Sequence, residues 1–239
     1  MRFQLPQPLH GWRVFAGEVG VIVLGVLLAL SAQQVAEGFQ MRSEVREFRR
    51  TIDHEIGLNL FVYEVRNRGS ACNMRRIKEL LNWVRKAQDG QALPQISAYG
   101  PGTMAPYRSA WDSRDGTIFA YVPAKARQKY AEFYDELDGN SARLNEEADA
   151  WLPLKGYELA GPISIDDRRT IYRHLAMALA ADRTWAGNMP VSKEIADELG
   201  VKPIQPDGLS REFLASLDQC ESIFVPEKAA KSGGGAPKR

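Results

Sequence analysis

The sequence predicts an all-α chain in which one N-terminal transmembrane helix continues into a helical-bundle extramembrane domain. Three observations carry this. Val19 to Ala36 is an uncharged run of 18 residues. Beyond it, apolar residues recur at intervals of three and four over several long stretches, the spacing of one buried helix face. No alternating Val/Ile/Thr-rich run of useful length occurs, so no sheet is expected.

The apolar run, extended upstream through Phe15, reaches the ~20 residues that cross ~30 Å of hydrocarbon at ~1.5 Å per residue. A lone span in lipid must satisfy its own backbone hydrogen bonds, so it is a helix. Trp12 and Phe15 sit where interfacial aromatic anchors sit. The organisation read from this is a tail over 1–13, the span over 14–36, the helical domain over 37–225 and a basic tail over 226–239. That tail is rich in Gly, Lys and Pro and is expected to be disordered. Ala29-Leu30-Ser31 offers small residues for signal cleavage, but Glu18 directly precedes the run, where a signal peptide carries positive charge. An uncleaved anchor is the reading adopted.

Gly25, Ala29, Ala32 and Ala36 share one face of the span by their 4-3-4 spacing. With Glu18 they form a face on which a second membrane helix could approach closely. The competing reading of Glu18 is an interfacial carboxylate near Arg13.

Orientation is contested within the sequence. Arg42, Arg46, Arg49 and Arg50 follow the span, against Arg2 and Arg13 before it, and the count favours a cytoplasmic domain. A short basic N-terminal tail favours the opposite sense. Cys72 and Cys220 form one disulfide if the domain lies in an oxidising compartment, and are two unpaired thiols otherwise. The stretch HGWRVFAGEVGVIVLGVLLALSAQQVAE resembles the opening of uncharacterised membrane proteins of Gram-negative bacteria. The matching residues are Gly17, Glu18, the Val19–Leu30 run, Gln33 and Gln34. The resemblance covers about 30 residues. It implies a single-pass inner-membrane protein with a helical domain of unknown function, and favours an N-in anchor with a periplasmic domain. It supplies no catalytic residue.

In the domain, Val45, Phe48, Ile52, Ile56, Leu60 and Tyr63 mark an apolar face. The span is therefore expected to continue as a stalk to about Arg66, with soft points at Gly38 and Gly57. A second helix is expected from Cys72 to Gln88, with Ile77, Leu80, Leu81 and Val84 inward. Residues 90–107 read as a loop, from Pro94, Gly100, Pro101, Gly102 and Pro106. Its aromatics Tyr99 and Tyr107 form a packing cap or a binding lip, and a short helix with Trp111 follows. A third helix spans Pro123 to Trp151 with heptad positions Tyr130, Phe133, Leu137, Leu144, Ala148 and Trp151, and a possible break at Gly139-Asn140. A fourth starts near Asp166 and Asp167 and runs to Trp185, with Ile171, Leu175 and Leu179 inward. Ser192 and Ser210 are read as caps of two short helices. The expectation is four main helices in an antiparallel bundle.

Between Glu37 and Val225 there are 25 Lys+Arg and 28 Asp+Glu, so the domain carries −3 and is no basic nucleic-acid surface. Two cysteines exclude a Cys-rich zinc module. His10, His54 and His174 have no partner histidine at helical-turn spacing, so no metal or other cofactor is expected. Cys72 with a histidine and an acid is the only sketch of a thiol site. Trp111, Asp112, Arg114 and Asp115 form the densest polar cluster and the weak candidate for a ligand site. The competing reading is a helix ending at Gly116 with Trp111 in the core. Arg168, Arg169 and Arg173 are a salt-bridged surface or an anion site.

The function expected is a non-enzymatic interaction or scaffolding role through the bundle and the membrane helix, with the lipid bilayer and a protein partner or a second copy as its contacts. A small-ligand or sensory module is the alternative, and a membrane-anchored hydrolase the third class.

Overall fold

The computed structural model describes residues 11–97, 100, 105–217 and 219–226. Arg2 and His10, the loop residues Tyr99, Pro101 and Gly102, and the basic tail from Glu227 on lie outside the described residues, as does the side chain of Arg13 expected near Glu18. The described chain is all-α, with six helices: α1 (Trp12–Lys86), α2 (Ser109–Asp112), α3 (Gly116–Ala120), α4 (Ala124–Ala160), α5 (Ile165–Leu199) and α6 (Arg211–Ser216). It divides into two compact units. One holds the chain to Arg50 with Asp115–Val122. The other holds Thr51–Arg114 and the chain from Pro123 on.

In the first unit, α1 presents its apolar run with no protein cover. Leu24 is 58% exposed and Val21 72%, and mean hydropathy reaches 2.3 over the best window. This helix is long and apolar enough to cross a membrane. Asp115–Val122 packs on it through an edge contact of Phe119 on Phe48, with ring centroids 5.8 Å apart.

The second unit is built on three long helices rather than the four expected. Residue pairs fix their directions. Asp53 meets Tyr130, Tyr63 meets Asn140 and Arg66 meets Glu147, so α1 and α4 run parallel. Lys129 meets Glu198 and Asn140 meets Ser192, so α5 runs antiparallel to α4. The expected stalk and second helix are one element, because α1 stays helical through Gly38, Gly57 and residues 67–71. The break expected at Gly139-Asn140 does not occur, and α4 continues to Ala160 with Pro153 inside it. The fourth helix likewise continues past Trp185 to Leu199 through Pro190, and Ser192 is a buried interior residue rather than a cap.

The helix ends obey local chemistry. Ser164 and Asp167 form a reciprocal capping box at the start of α5, with Asp166 and Asp167 in its first turn. Gly200 closes α5 at φ 78°, a left-handed position that suits glycine. Ser210 caps α6 by accepting from Phe213 N. The expected helix end at Gly116 is displaced: α2 ends at Asp112, and Gly116 opens α3 under the Asp115 cap.

Gly57 has a packing role that its low helix propensity conceals. Its carbonyl accepts from Ile204 N at 2.8 Å, and a Cβ there would lie 2.8 Å from Lys202 O and 2.6 Å from Ile204 Cδ1. Gly57→Ala should therefore destabilise the domain by ~1–3 kcal/mol despite its better propensity, since backbone and not a flexible tip must move. Denaturant titration of the variant checks the sign; a gain in stability would show that the 201–204 segment gives way freely.

Candidate buried polar site

The three long helices meet along heptad seams, and the seams turn polar in the middle. On α1 the seam reads Ile52, Ile56, Asn59, Tyr63, Arg66, Ser70, Asn73, Ile77, Leu80 and Val84, at intervals of four and three throughout. On α4 it reads Tyr130, Phe133, Leu137, Asn140, Leu144, Glu147, Trp151 and Leu154. On α5 it reads Ile171, Leu175, Ala178, Asp182, Trp185, Met189, Ser192 and Ala196. Of the expected α4 set, Ala148 is exposed and Leu144 only half-buried; Asn140 and Glu147 take the buried places.

Arg66 is the centre of this layer. Its Nη2 donates to Glu147 Oε2 at 2.7 Å and to Asp182 Oδ1 at 2.9 Å, with all three side chains at most 3% exposed. Asn73 Nδ2 lies 3.0 Å from both Glu147 Oε1 and Asp182 Oδ1, and Ser70 Oγ donates to Asp182 Oδ2 at 3.0 Å. Arg66 also lies 5.9 Å from the Trp185 ring, which packs edge-on against Tyr63. One cation between two carboxylates leaves the layer a net charge of −1 when both acids are ionised. A second layer joins Tyr63, Asn140 and Ser192, with Arg143 donating to Asn140 Oδ1 at 2.9 Å.

Burial holds the Glu147 carboxyl above the usual glutamate range, against the opposing pull of Arg66 and with Asp182 adding to the rise. The folded domain therefore binds this proton more tightly than the unfolded chain, whose glutamate titrates near 4.5. The stabilisation is complete below that value and is lost as pH rises through the folded value. Thermal stability should accordingly rise as pH is lowered from mildly alkaline toward 4.5, and the slope should flatten in Glu147→Gln. Asp112 and Asp167, held down by Arg108 and by Ser164, weaken the fold only as pH falls toward and below their ordinary 3.8. Glu132 and Glu212, held down from 4.5 by Lys129 and by backbone and Ser210 hydrogen bonds, oppose the trend at the acid end of the scan, so the difference from Glu147→Gln is the quantity that reports Glu147. An unchanged slope in the variant would sink the assignment.

Further along α1, Glu55 serves α2. Its carboxylate accepts from Ala110 N at 2.7 Å and Trp111 N at 3.2 Å, and from the Tyr134 hydroxyl. It replaces a side-chain cap that Arg108 at the N-cap position does not supply. Burial first, then this carboxylate, push the Tyr134 hydroxyl far above the ordinary tyrosine range. Asn59 pairs with the backbone of Tyr107 through both amide groups, at 2.6 and 2.8 Å.

Comparison with family models, with curated proteins and with solved structures finds no match to this chain.

The residues singled out from sequence fall as follows. Cys72 and Cys220 are bonded, with Cα atoms 5.4 Å apart, so neither offers a thiolate. Glu18, Gly25, Ala29, Ala32 and Ala36 are all exposed, and a Cβ built on Gly25 would meet nothing within 4 Å beyond its own turn of helix. Trp111 is buried and stacks on Tyr134 at 4.4 Å, while Arg114 covers it at 3.9 Å. Asp112 pairs with Arg108 at 3.0 Å, and Asp115 caps α3. These four residues thus hold local structure. Arg168 donates to the Ala87 carbonyl and Arg169 pairs with Asp166 at 2.9 Å; Arg173 is exposed. His54 is exposed and His174 half-buried.

A cavity of about 180 Å³ opens beside Leu60 and Tyr63 of α1, Met189 and Lys193 of α5, and Val201 and Lys202. Its walls are mostly apolar, Glu64, Lys193, Asp197 and Lys202 also line it, and Lys202 pairs with Asp197 at 2.8 Å. Sequence reasoning missed both this cavity and the polar layer. The detectable signal for the layer was the unbroken four-three spacing through Asn59, Arg66 and Asn73.

Proposed function

We propose that this chain is a single-pass protein of a bacterial inner membrane whose helical domain acts on the periplasmic side as a non-enzymatic interaction or scaffolding module. The observation that carries the reading is the joint presence of a bare apolar helix and a closed Cys72–Cys220 pair. An uncovered apolar helix needs lipid or a partner helix around it. A structural disulfide persists in oxidising compartments such as the periplasm. The domain's buried acids face Arg66, Asn73, Ser70, Tyr134 and backbone donors, an internal scaffold more than a reactive centre. The small-residue face with Glu18 is the surface for a second helix, of a partner or of another copy.

Two experiments bear on this. Thiol labelling in intact cells, spheroplasts and lysate should find both cysteines blocked until reductant is added; free labelling only after the inner membrane opens would move the domain to the cytoplasm. Replacing residues 14–36 by an unrelated span should remove co-purifying partners or the self-associated form. Full retention of both would discard the membrane-helix face.

The 180 Å³ cavity favours a second reading, a small-ligand module. It is comparable to the ~150 Å³ engineered cavities that take up benzene-sized molecules. A metabolite screen by thermal shift discriminates, since a ligand bound only by the native state raises the melting temperature.

A further inference from the structure

We infer that the Gly116–Tyr121 segment is a second membrane contact, seating its aromatic end in the lipid headgroup zone beside the end of the span. The inference rests on the membrane reading above and deepens it. Three observations meet at this place. The uncharged run ends at Ala36, and the next turns carry Phe39, 65% exposed, with the Arg42 guanidinium 5.9 Å from its ring. Tyr121, 63% exposed, lines one open groove of about 450 Å³ together with Gln34, Glu37, Gly38, Gln40, Met41 and Glu44, a mixed polar lining suited to headgroups rather than acyl chains. The residues from Gly116 to Ala124 carry no charge, although 26% of the chain is charged.

Distance along the helix decides what surrounds Tyr121. Gln34 to Met41 covers ~10 Å of axis at ~1.5 Å per residue. The polar zone between hydrocarbon and water is ~5–8 Å thick on each side of a bilayer. The groove therefore brackets that zone, where tyrosine finds apolar surroundings for its ring and water or headgroups for its hydroxyl. In the same unit, Phe119 holds the segment to α1 by its contact with Phe48, and Asp115 caps α3 through Thr117 N at 2.6 Å. The ring is presented on a fixed element, and its exposure has a physical reason if lipid covers it.

The test uses the full chain in phosphatidylethanolamine/phosphatidylglycerol vesicles with the native disulfide intact. A single added cysteine carries an environment-sensitive fluorophore, placed by Leu24→Cys, Ala120→Cys or Arg46→Cys. Quenchers are iodide in water and nitroxides at headgroup or acyl depth. The Leu24 label should respond to the acyl nitroxide and the Arg46 label to iodide. The Ala120 label, with Tyr121 intact, should emit to the blue of the Arg46 label, resist iodide and respond to the headgroup nitroxide. Adding Tyr121→Asp should return it toward water. If the Ala120 label matches Arg46 while Leu24 is shielded, the second contact is wrong and the anchor stands. If the Leu24 label is itself open to iodide, the membrane reading fails and takes this inference with it.

Discussion

Arg66→Met should cost the domain ~3–5 kcal/mol, because it leaves Glu147 and Asp182 buried without their cation. Glu147 would keep Asn73 as a donor, and Asp182 would keep Asn73 and Ser70, all at 3.0 Å. Those neutral groups do not offset the loss of solvation of two like charges held close together. The loss should shrink when both acids are also removed. A quadruple variant, Arg66→Met with Glu147→Leu, Asp182→Leu and Asn73→Leu, should recover much of the wild-type stability, since it also removes the buried amide that the two acids satisfy and a well-packed apolar layer is often as stable as a buried ion triad. Denaturant titration of the full chain in detergent measures both. A single variant within ~0.5 kcal/mol of wild type, the range of ordinary surface changes, would mean that water reaches the layer.

Opening the Cys72–Cys220 bond, by reductant or by serine at both positions, should cost ~3–5 kcal/mol, the range for closing a long loop in the unfolded chain. The loop spans 148 positions. The damage should be local as well as global. The bond ties the C-terminal segment to α1 beside a set of weaker ties: Ile223 N to Glu79 Oε2 at 2.8 Å, Ser97 N to Ile223 O at 2.7 Å and Val225 N to Gln95 O at 3.0 Å. Ile223 itself is fully buried with Leu80, Leu93 and Trp151. Hydrogen exchange at Ser97 and Val225 should quicken on reduction. Unchanged protection there would show that the seating of Ile223 holds the segment alone.

Much of this is legible in the sequence. The apolar helix, long enough to cross a membrane, is a matter of length and composition. The apolar ends of the bundle follow from spacing: Ile52, Ile56, Ile77, Leu80, Tyr130, Phe133, Ile171 and Leu175 are all buried. The two lone cysteines presented a bonded and an unbonded alternative, and the fold brings them together. Asp166 and Asp167 marked the start of α5.

The helix count failed for one reason. Periodicity is read from apolar residues, and the seam carries Asn59, Arg66, Ser70 and Asn73 where the pattern wants leucine. The apolar pattern therefore ends near Arg66 and resumes after Cys72, as if one helix stopped and another began. The same gap appears at Asn140 and Glu147 on α4, and at Asp182 and Ser192 on α5. Each of these residues reads as a surface group in its own helix. Only when three helices converge do the charges and amides answer one another.

The sequence by itself determined the all-α class, the apolar helix and the two apolar ends of the bundle, because these depend on neighbours three or four residues apart. The tertiary structure decided the polar centre, the close approach at Gly57 and the packing of Phe119 on Phe48. Those depend on groups tens to more than a hundred positions apart, whose burial is favourable only once their partners are in place.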